Sequence, residues 1–217
     1  MNAHFHATEE TLMRLAAGTL PAGPSIVVRA HLADCAACRA KVAQYEAVGG
    51  ALLEQEEPAT LPADMLATLR ARIENEPEEK LAASPVSNHP QIDGIRLPDS
   101  LAGCEIGPWR WIGPGRRMSH IKAAGDPEAN LILLKVGPGL ALPDHGHVGK
   151  EFTYIVSGSY TDRFGTFKRG DLAEMDDDVE HQPIVDPDSA CICLAALEGR
   201  MRFKGLIGRM LQPFVRI

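Results

Sequence analysis

The 217-residue sequence contains no run approaching the roughly 20 consecutive apolar residues that a helix needs to cross a bilayer, so no helical membrane span is expected. It also lacks an excess of basic residues. Lysine and arginine number 22 against 29 aspartates and glutamates, for a net charge of -7 and a pI near 5.6. Nucleic-acid modules usually carry a basic face, so direct contact with nucleic acid is not expected; an acidic chain suits a basic protein partner, or none. The opening Met1-Asn2-Ala3-His4-Phe5-His6 has neither the basic start nor the apolar stretch of a secretory signal, and the cytoplasm is the expected location. An even set of cysteines is missing too. The five present fall as one Cys-x-x-Cys, one Cys-x-Cys and one single residue, which suits metal or redox thiols in a reducing compartment better than a disulfide framework.

What is present is enough chain for two modest domains, each with its own core. From Thr8 to about Glu74 the pattern is helical. Thr8 is the candidate N-cap of a first helix, with Glu9 and Glu10 in its first turn, Leu12, Leu15 and Ala16 as its stripe, and Gly18 with Pro21 ending it. A second apolar run, Ile26-Val27-Val28, leads to His31. A third helix is expected to start near Asp34 and carry Val42, Tyr45, Val48 and Leu52; a fourth, after Pro62, carries Met65, Leu66, Leu69 and Ile73 at amphipathic spacing. Between Glu74 and about Leu97 there is little to bury, and this stretch has the composition of a tether, so few contacts are expected between the halves it joins. Beyond it, short apolar runs such as Leu131–Val136, Phe152–Val156 and Cys191–Ala195 alternate with glycine, proline and aspartate turns, the pattern of an all-β barrel or sandwich.

Two clusters carry chemistry. In the first, Cys35 and Cys38 lie three apart at the expected start of a helix, where the dipole favours thiolate, and His31 precedes Cys35 by four residues. A closed tetrahedral zinc site needs a fourth ligand, for which His6 is the best candidate and His4 the fallback. The alternatives are a redox pair, disfavoured because no βαβ setting surrounds it, or two buried cysteines beside a solvated His31. The arrangement of His6 followed by His31-x3-Cys35-x2-Cys38 resembles the zinc-binding anti-sigma domain of bacterial regulators of extracytoplasmic-function sigma factors. That resemblance implies a three-helix zinc bundle with a detached fourth helix, wedged between two sigma-factor domains so that it masks the surfaces that bind core RNA polymerase. The Met65, Leu66, Leu69 and Ile73 stripe matches the fourth helix in position; by its pattern alone it is an internal packing face.

In the second cluster, the stretch from Gly139 through His145, His147 and Glu151 to Gly158 matches the first cupin motif at every fixed position. Histidines two apart on a strand share a face, and Glu151 after a turn aims at the same interior point. Gly170 to His181 matches the spacing of the second motif, with Asp176 and Asp178 in place of its proline and second glycine. Three imidazoles and a carboxylate would accept zinc or another divalent metal. Cys191 and Cys193 share one side of a strand, either as apolar packing or facing this cavity; Cys104 has no evident partner, and Trp109 with Trp111 is expected to pack one barrel face.

The expected fold class is therefore two-domain, α followed by all-β: a zinc-binding helical bundle with an extra helix over residues 1–75, a linker over 76–98, and a cupin metal-binding barrel over 99–217. The whole chain resembles the ChrR-type anti-sigma factors, including Asp144-His145-Gly146-His147, Glu180-His181, Cys191-Ile192-Cys193-Leu194 and the terminal Gln212-Pro213-Phe214-Val215-Arg216-Ile217. What this implies is no enzyme but a repressor that binds an extracytoplasmic-function sigma factor in a 1:1 complex and releases it under oxidative stress of the singlet-oxygen type, with the cupin needed for the response. The alternative is a metal-dependent cupin dioxygenase or isomerase with a zinc-stabilised interaction domain, against which no separate acid, base or nucleophile is visible beside the ligands.

Overall fold

In the computed structural model, which describes residues 3–75, 90–123, 125–177 and 179–203, Thr8 caps the first helix by accepting the Thr11 N–H at 3.3 Å. Four helices follow one another: α1 (Glu9–Ala16), α2 (Ala22–Asp34), α3 (Ala36–Leu53) and α4 (Met65–Asn75). Cys35 terminates α2 and caps α3, its sulfur accepting the Cys38 N–H at 3.4 Å, so the helix begins just after the expected Asp34. Of the expected α3 stripe, Val42 is buried, but Val48 and Leu52 are exposed, and α4 buries none of its residues.

The strands are β1 (Gln91–Ile92), β2 (Ile95–Arg96), β3 (Glu105–Ile106), β4 (Arg110–Gly113), β5 (Arg116–Lys122), β6 (Asn130–Val136), β7 (His145–Val148) and β8 (Glu151–Ser157). They continue with β9 (Ser159–Asp162), β10 (Gly165–Lys168), β11 (Leu172–Met175), β12 (Glu180–His181), β13 (Ile184–Val185), β14 (Cys191–Leu197) and β15 (Arg200–Phe203). All named pairings are antiparallel. The main sheet runs β11-β8-β14-β6-β5-β3 with β4 beside β5, and smaller sheets β12-β7-β15 and β10-β9-β13 complete the cupin. The last glycine of the first motif has a steric reason: at Gly158 (φ +75°) a Cβ would fall 2.3 Å from the Ala190 carbonyl oxygen.

Several expectations are corrected. Residues 91–96, inside the stretch read as linker, form the β1–β2 hairpin, and Leu97 is buried; residues 76–89 and the terminal 204–217 lie outside the described residues. The halves are not sparsely connected. One apolar core runs from Leu12, Val27 and Val28 of the helices into Phe152, Leu194 and Ala196 of the cupin. Gly23 of α2 lets the backbone approach Ala196, whose Cβ would lie 3.4 Å from an added one. The physical reason is that α2 is apolar on most of its circumference, and each fully buried side chain of this kind contributes about 1.5–3 kcal/mol. Trp111 does not pack a barrel face either: it is 72% exposed, whereas Trp109 is partly buried against the shared core.

Candidate metal centres

The α2–α3 junction places three of the N-terminal candidates together. His31 on the last turn of α2 is fully buried, Cys35 caps α3 and Cys38 follows on its first turn. The segment preceding α1 returns to bring His6 over them, and the ligand atoms of all four lie within 4.8 Å of one another. His31 Nε2 is 3.3 Å from Cys38 Sγ, while His6 Nδ1 is 3.3 Å from Cys35 Sγ and 3.5 Å from Cys38 Sγ. A tetrahedral zinc with Zn–S of about 2.3 Å and Zn–N of about 2.0–2.1 Å separates nitrogen from sulfur by about 3.5 Å, so the donor set has zinc dimensions. His4, the fallback, is not in the cluster; its backbone N–H goes to Asp171 instead.

The protonation states agree. The Gly170 carbonyl can only accept, so His31 Nδ1 donates to it at 2.8 Å and leaves Nε2 as a lone pair towards the sulfurs. Burial keeps His31 below its ordinary range, hence neutral. Burial, and then the neighbouring Cys35, push the Cys38 thiol up to about 12, so a Cys38 thiolate here needs a cation beside it.

The second centre lies inside the cupin. His145 and His147 project from one face of β7, Glu151 opens β8, and His181 on β12 pairs directly with His145. All four are buried, with ligand atoms within 4.8 Å. His145 Nδ1 donates to the Pro143 carbonyl and His181 Nδ1 to Asp162 Oδ2, both at 2.8 Å, which turns each Nε2 inward. Thr153 donates its hydroxyl to Glu151 Oε1 at 2.7 Å. Glu151 Oε2 lies 2.9 Å from His147 Nε2 and 3.8 Å from His145 Nε2, while His147 Nδ1 and His181 Nε2 have no hydrogen-bond partner among the described residues. Buried polar atoms are seldom left so. The four residues gather their ligand atoms within 4.8 Å of one another, and a His3Glu set of this kind could hold a divalent ion. Burial alone would raise Glu151, but its contacts with His145 and His147 hold the carboxyl well below the ordinary range.

The cluster opens on a cavity of about 120 Å³ walled by apolar side chains including Met118, Ile132 and Val185. Cys191 and Cys193 both line it, and burial pushes Cys191 up to about 12 and Cys193 well above its ordinary value, so both are thiols rather than thiolates. Asp162, Thr153 and the carbonyls of Pro143 and Gly170 were not singled out from the sequence. Only Thr153, two residues from Glu151 on one strand, had a signal, that of a shared face.

Residues 100–199 match the family of ChrR cupin-like domains, and residues 6–39 match a family of zinc fingers. The sequence is 35% identical over 222 aligned residues to the anti-sigma-E factor ChrR of Cereibacter sphaeroides, covering 100% of both chains. The fold is similar to a chain in the crystal structure of Rhodobacter sphaeroides SigE in complex with the anti-sigma ChrR. The TM-score is 0.72 at 33% identity, covering 91% of this chain and 100% of that one.

Proposed function

The chain belongs to the ChrR family of anti-sigma factors, a regulatory rather than an enzymatic family, and from that premise we propose that it sequesters an extracytoplasmic-function sigma factor in a 1:1 complex and releases it under oxidative stress of the singlet-oxygen type. The helical residues 1–75 grip the sigma factor and residues 99–217 govern the response; residues 91–96, read from the sequence as part of a 76–98 linker, belong instead to the β1–β2 hairpin. Zinc is held by His6, His31, Cys35 and Cys38, and zinc or another divalent metal by His145, His147, Glu151 and His181.

The observation that carries this is the apolar face of α4. Leu66 is 61% exposed and Ile73 73%, with Met65 and Leu69 beside them at three- and four-residue spacing and nothing among the described residues covering them. An amphipathic helix presenting anchors at this spacing is suited to a groove on another protein. The relative's crystal structure with SigE supports a sigma factor as the occupant. A response requires that the signal favour one state of the complex over another, and the buried metal cage is the part of the chain suited to receive it.

Co-expression with the cognate extracytoplasmic-function sigma factor, followed by co-purification, tests the reading. Leu66→Glu and Leu69→Glu should weaken the complex at least tenfold, because each places an unpaired charge in an apolar contact. Undiminished affinity in both variants, or no complex with the wild type, would refute it.

A further inference from the structure

Residues 4–8, the segment that carries His6, run along the free edge of β11. Leu172 donates its N–H to the Phe5 carbonyl at 3.2 Å, and the buried Asp171 Oδ1 accepts from the N–H groups of His4 at 2.6 Å and Phe5 at 3.2 Å. Asp171 Oδ2 closes the turn after β10 by accepting the Lys168 N–H at 2.8 Å. Gly170, in the same turn, provides the carbonyl that orients His31. Two of the four N-terminal donors are thus held from the cupin side by one turn.

The other end of the β9–β10 hairpin reaches the cupin cage. Asp162 Oδ2 accepts from His181 Nδ1 and its Oδ1 from the Phe164 N–H, both at 2.8 Å. Next to Phe164, Gly165 lies against the Phe5 ring so closely that an added Cβ would fall 2.7 Å from Phe5 Cζ. That ring is centred 4.1 Å from Phe167, which stacks at 5.0 Å on Tyr160, a wall of the cupin cavity.

We infer that the β9–β10 hairpin mechanically links the two centres. Asp162 follows how His181 is held, and Gly165, Phe167 and Asp171 pass the change to the segment bearing His6 and to the carbonyl behind His31. Filling of the cupin cage thereby alters how firmly the N-terminal centre keeps its metal. Asp162 and Asp171 are positioning residues, since neither belongs to a donor set. Close packing makes such a path stiff enough to transmit a small displacement, and loss of a group that orients a metal ligand typically costs 10–100-fold in metal affinity. The inference rests on the two-centre reading above.

The test uses the full-length protein loaded with Co(II), because a thiolate–cobalt absorption band reports the cysteine-ligated centre alone. Loss of that band to excess chelator at neutral pH is followed in the wild type and in His145→Ala, which empties the cupin cage without touching the hairpin. The expected result is a several-fold difference in release rate between the two. Asp171→Asn, which turns an acceptor into a donor facing N–H groups, should speed release about 10–100-fold. Asp162→Asn should erase the difference caused by His145→Ala. Gly165→Ala should loosen residues 4–8 in hydrogen exchange; if it fails to fold, Phe5→Ala removes the same contact. Identical release in the wild type and His145→Ala, or a difference undiminished by Asp162→Asn, would overturn the link. A wild-type protein with no thiolate–cobalt band would instead overturn the N-terminal metal reading itself.

Discussion

The carbonyl oxygen of Gly170 lies 2.8 Å from Nδ1 of His31, so a turn of the cupin fixes the tautomer of a donor in the helical region. The Tyr154 hydroxyl makes the same crossing in the other direction, donating to Asp34 Oδ2 at 2.6 Å beside the cysteine cluster. Two lobes that share hydrogen bonds next to the His6, His31, Cys35 and Cys38 cluster, and one apolar core beneath it, cannot move apart without disturbing that cluster.

Replacing Cys38 by serine should abolish zinc retention in the N-terminal centre. Structural zinc contributes on the order of 10 kcal/mol in zinc-finger peptides, comparable with the whole stability of a domain, so the α2–α3 junction should open as well. Metal analysis and hydrogen exchange across residues 22–53 are the measurements. His6→Ala should weaken zinc binding in the same direction and His4→Ala should not, since His4 stands outside the cluster.

The Tyr154–Asp34 contact predicts an alkaline loss of stability. Burial, and then the Asp34 carboxylate, raise the Tyr154 phenol above its ordinary value of 10. A group whose folded pKa is raised contributes stability that is complete below the unfolded value and lost as pH rises through the folded one. The zinc-loaded protein should therefore weaken progressively above about pH 10 in denaturant titrations. Tyr154→Phe should cost about 2 kcal/mol at neutral pH, as for a hydrogen bond to a charged group, and remove that part of the alkaline decline. Equal pH profiles for the two proteins would count against the contact.

The centre of each candidate cluster was legible because its spacing repeats a geometric period, while His6, Glu151 and His181 came with the motif patterns. His145 and His147 are two apart on a strand, and Cys35 and Cys38 one helical turn apart. What orients them was not legible. Gly170 and Pro143 act through backbone carbonyls, which have no side-chain signature, and Asp162 and Asp171 are two of 29 acidic residues, brought into place by a hairpin and a turn. The close joining of the halves was hidden for a different reason. Ile26-Val27-Val28 announces burial but not against what, and only the assembled sheet shows that β8 and β14 cover α2. The α4 stripe shows the converse: its amphipathic pattern is clear, yet the structure leaves that face open.

Glu174 predicts a second, metal-independent fastening. Its carboxylate accepts from the Thr8 N–H at 2.9 Å and from the hydroxyls of Thr8 and Thr11, each at 2.8 Å, and pairs with Lys150 at 3.1 Å, with only 4% of the side chain exposed. Glu174→Ala strips the acceptor from several donors at once, one of them on the fully buried Thr11. The expected cost is about 2 kcal/mol, with faster hydrogen exchange at the start of α1 and little change in the cupin strands. Unchanged exchange at residues 8–11 would show that α1 is held by its apolar face alone.

The last prediction separates grip from response. Substituting His145, Glu151 or His181 by alanine removes one of four donors whose ligand atoms lie within 4.8 Å of one another, so the cupin metal should be lost. The α4 face is built from different residues on a different element, and repression of a sigma-dependent reporter should persist in unstressed cells. What should fall is the rise in reporter activity under singlet oxygen, because a signal can dismantle the complex only by favouring one of its states. Asp162→Asn keeps every donor but loosens His181, and should give an intermediate response. The comparison is reporter activity with and without photosensitiser in wild type, the three alanine variants and Asp162→Asn. Loss of repression in the alanine variants would make the cupin part of the grip, and a full response in all of them would take the sensing role away from its metal.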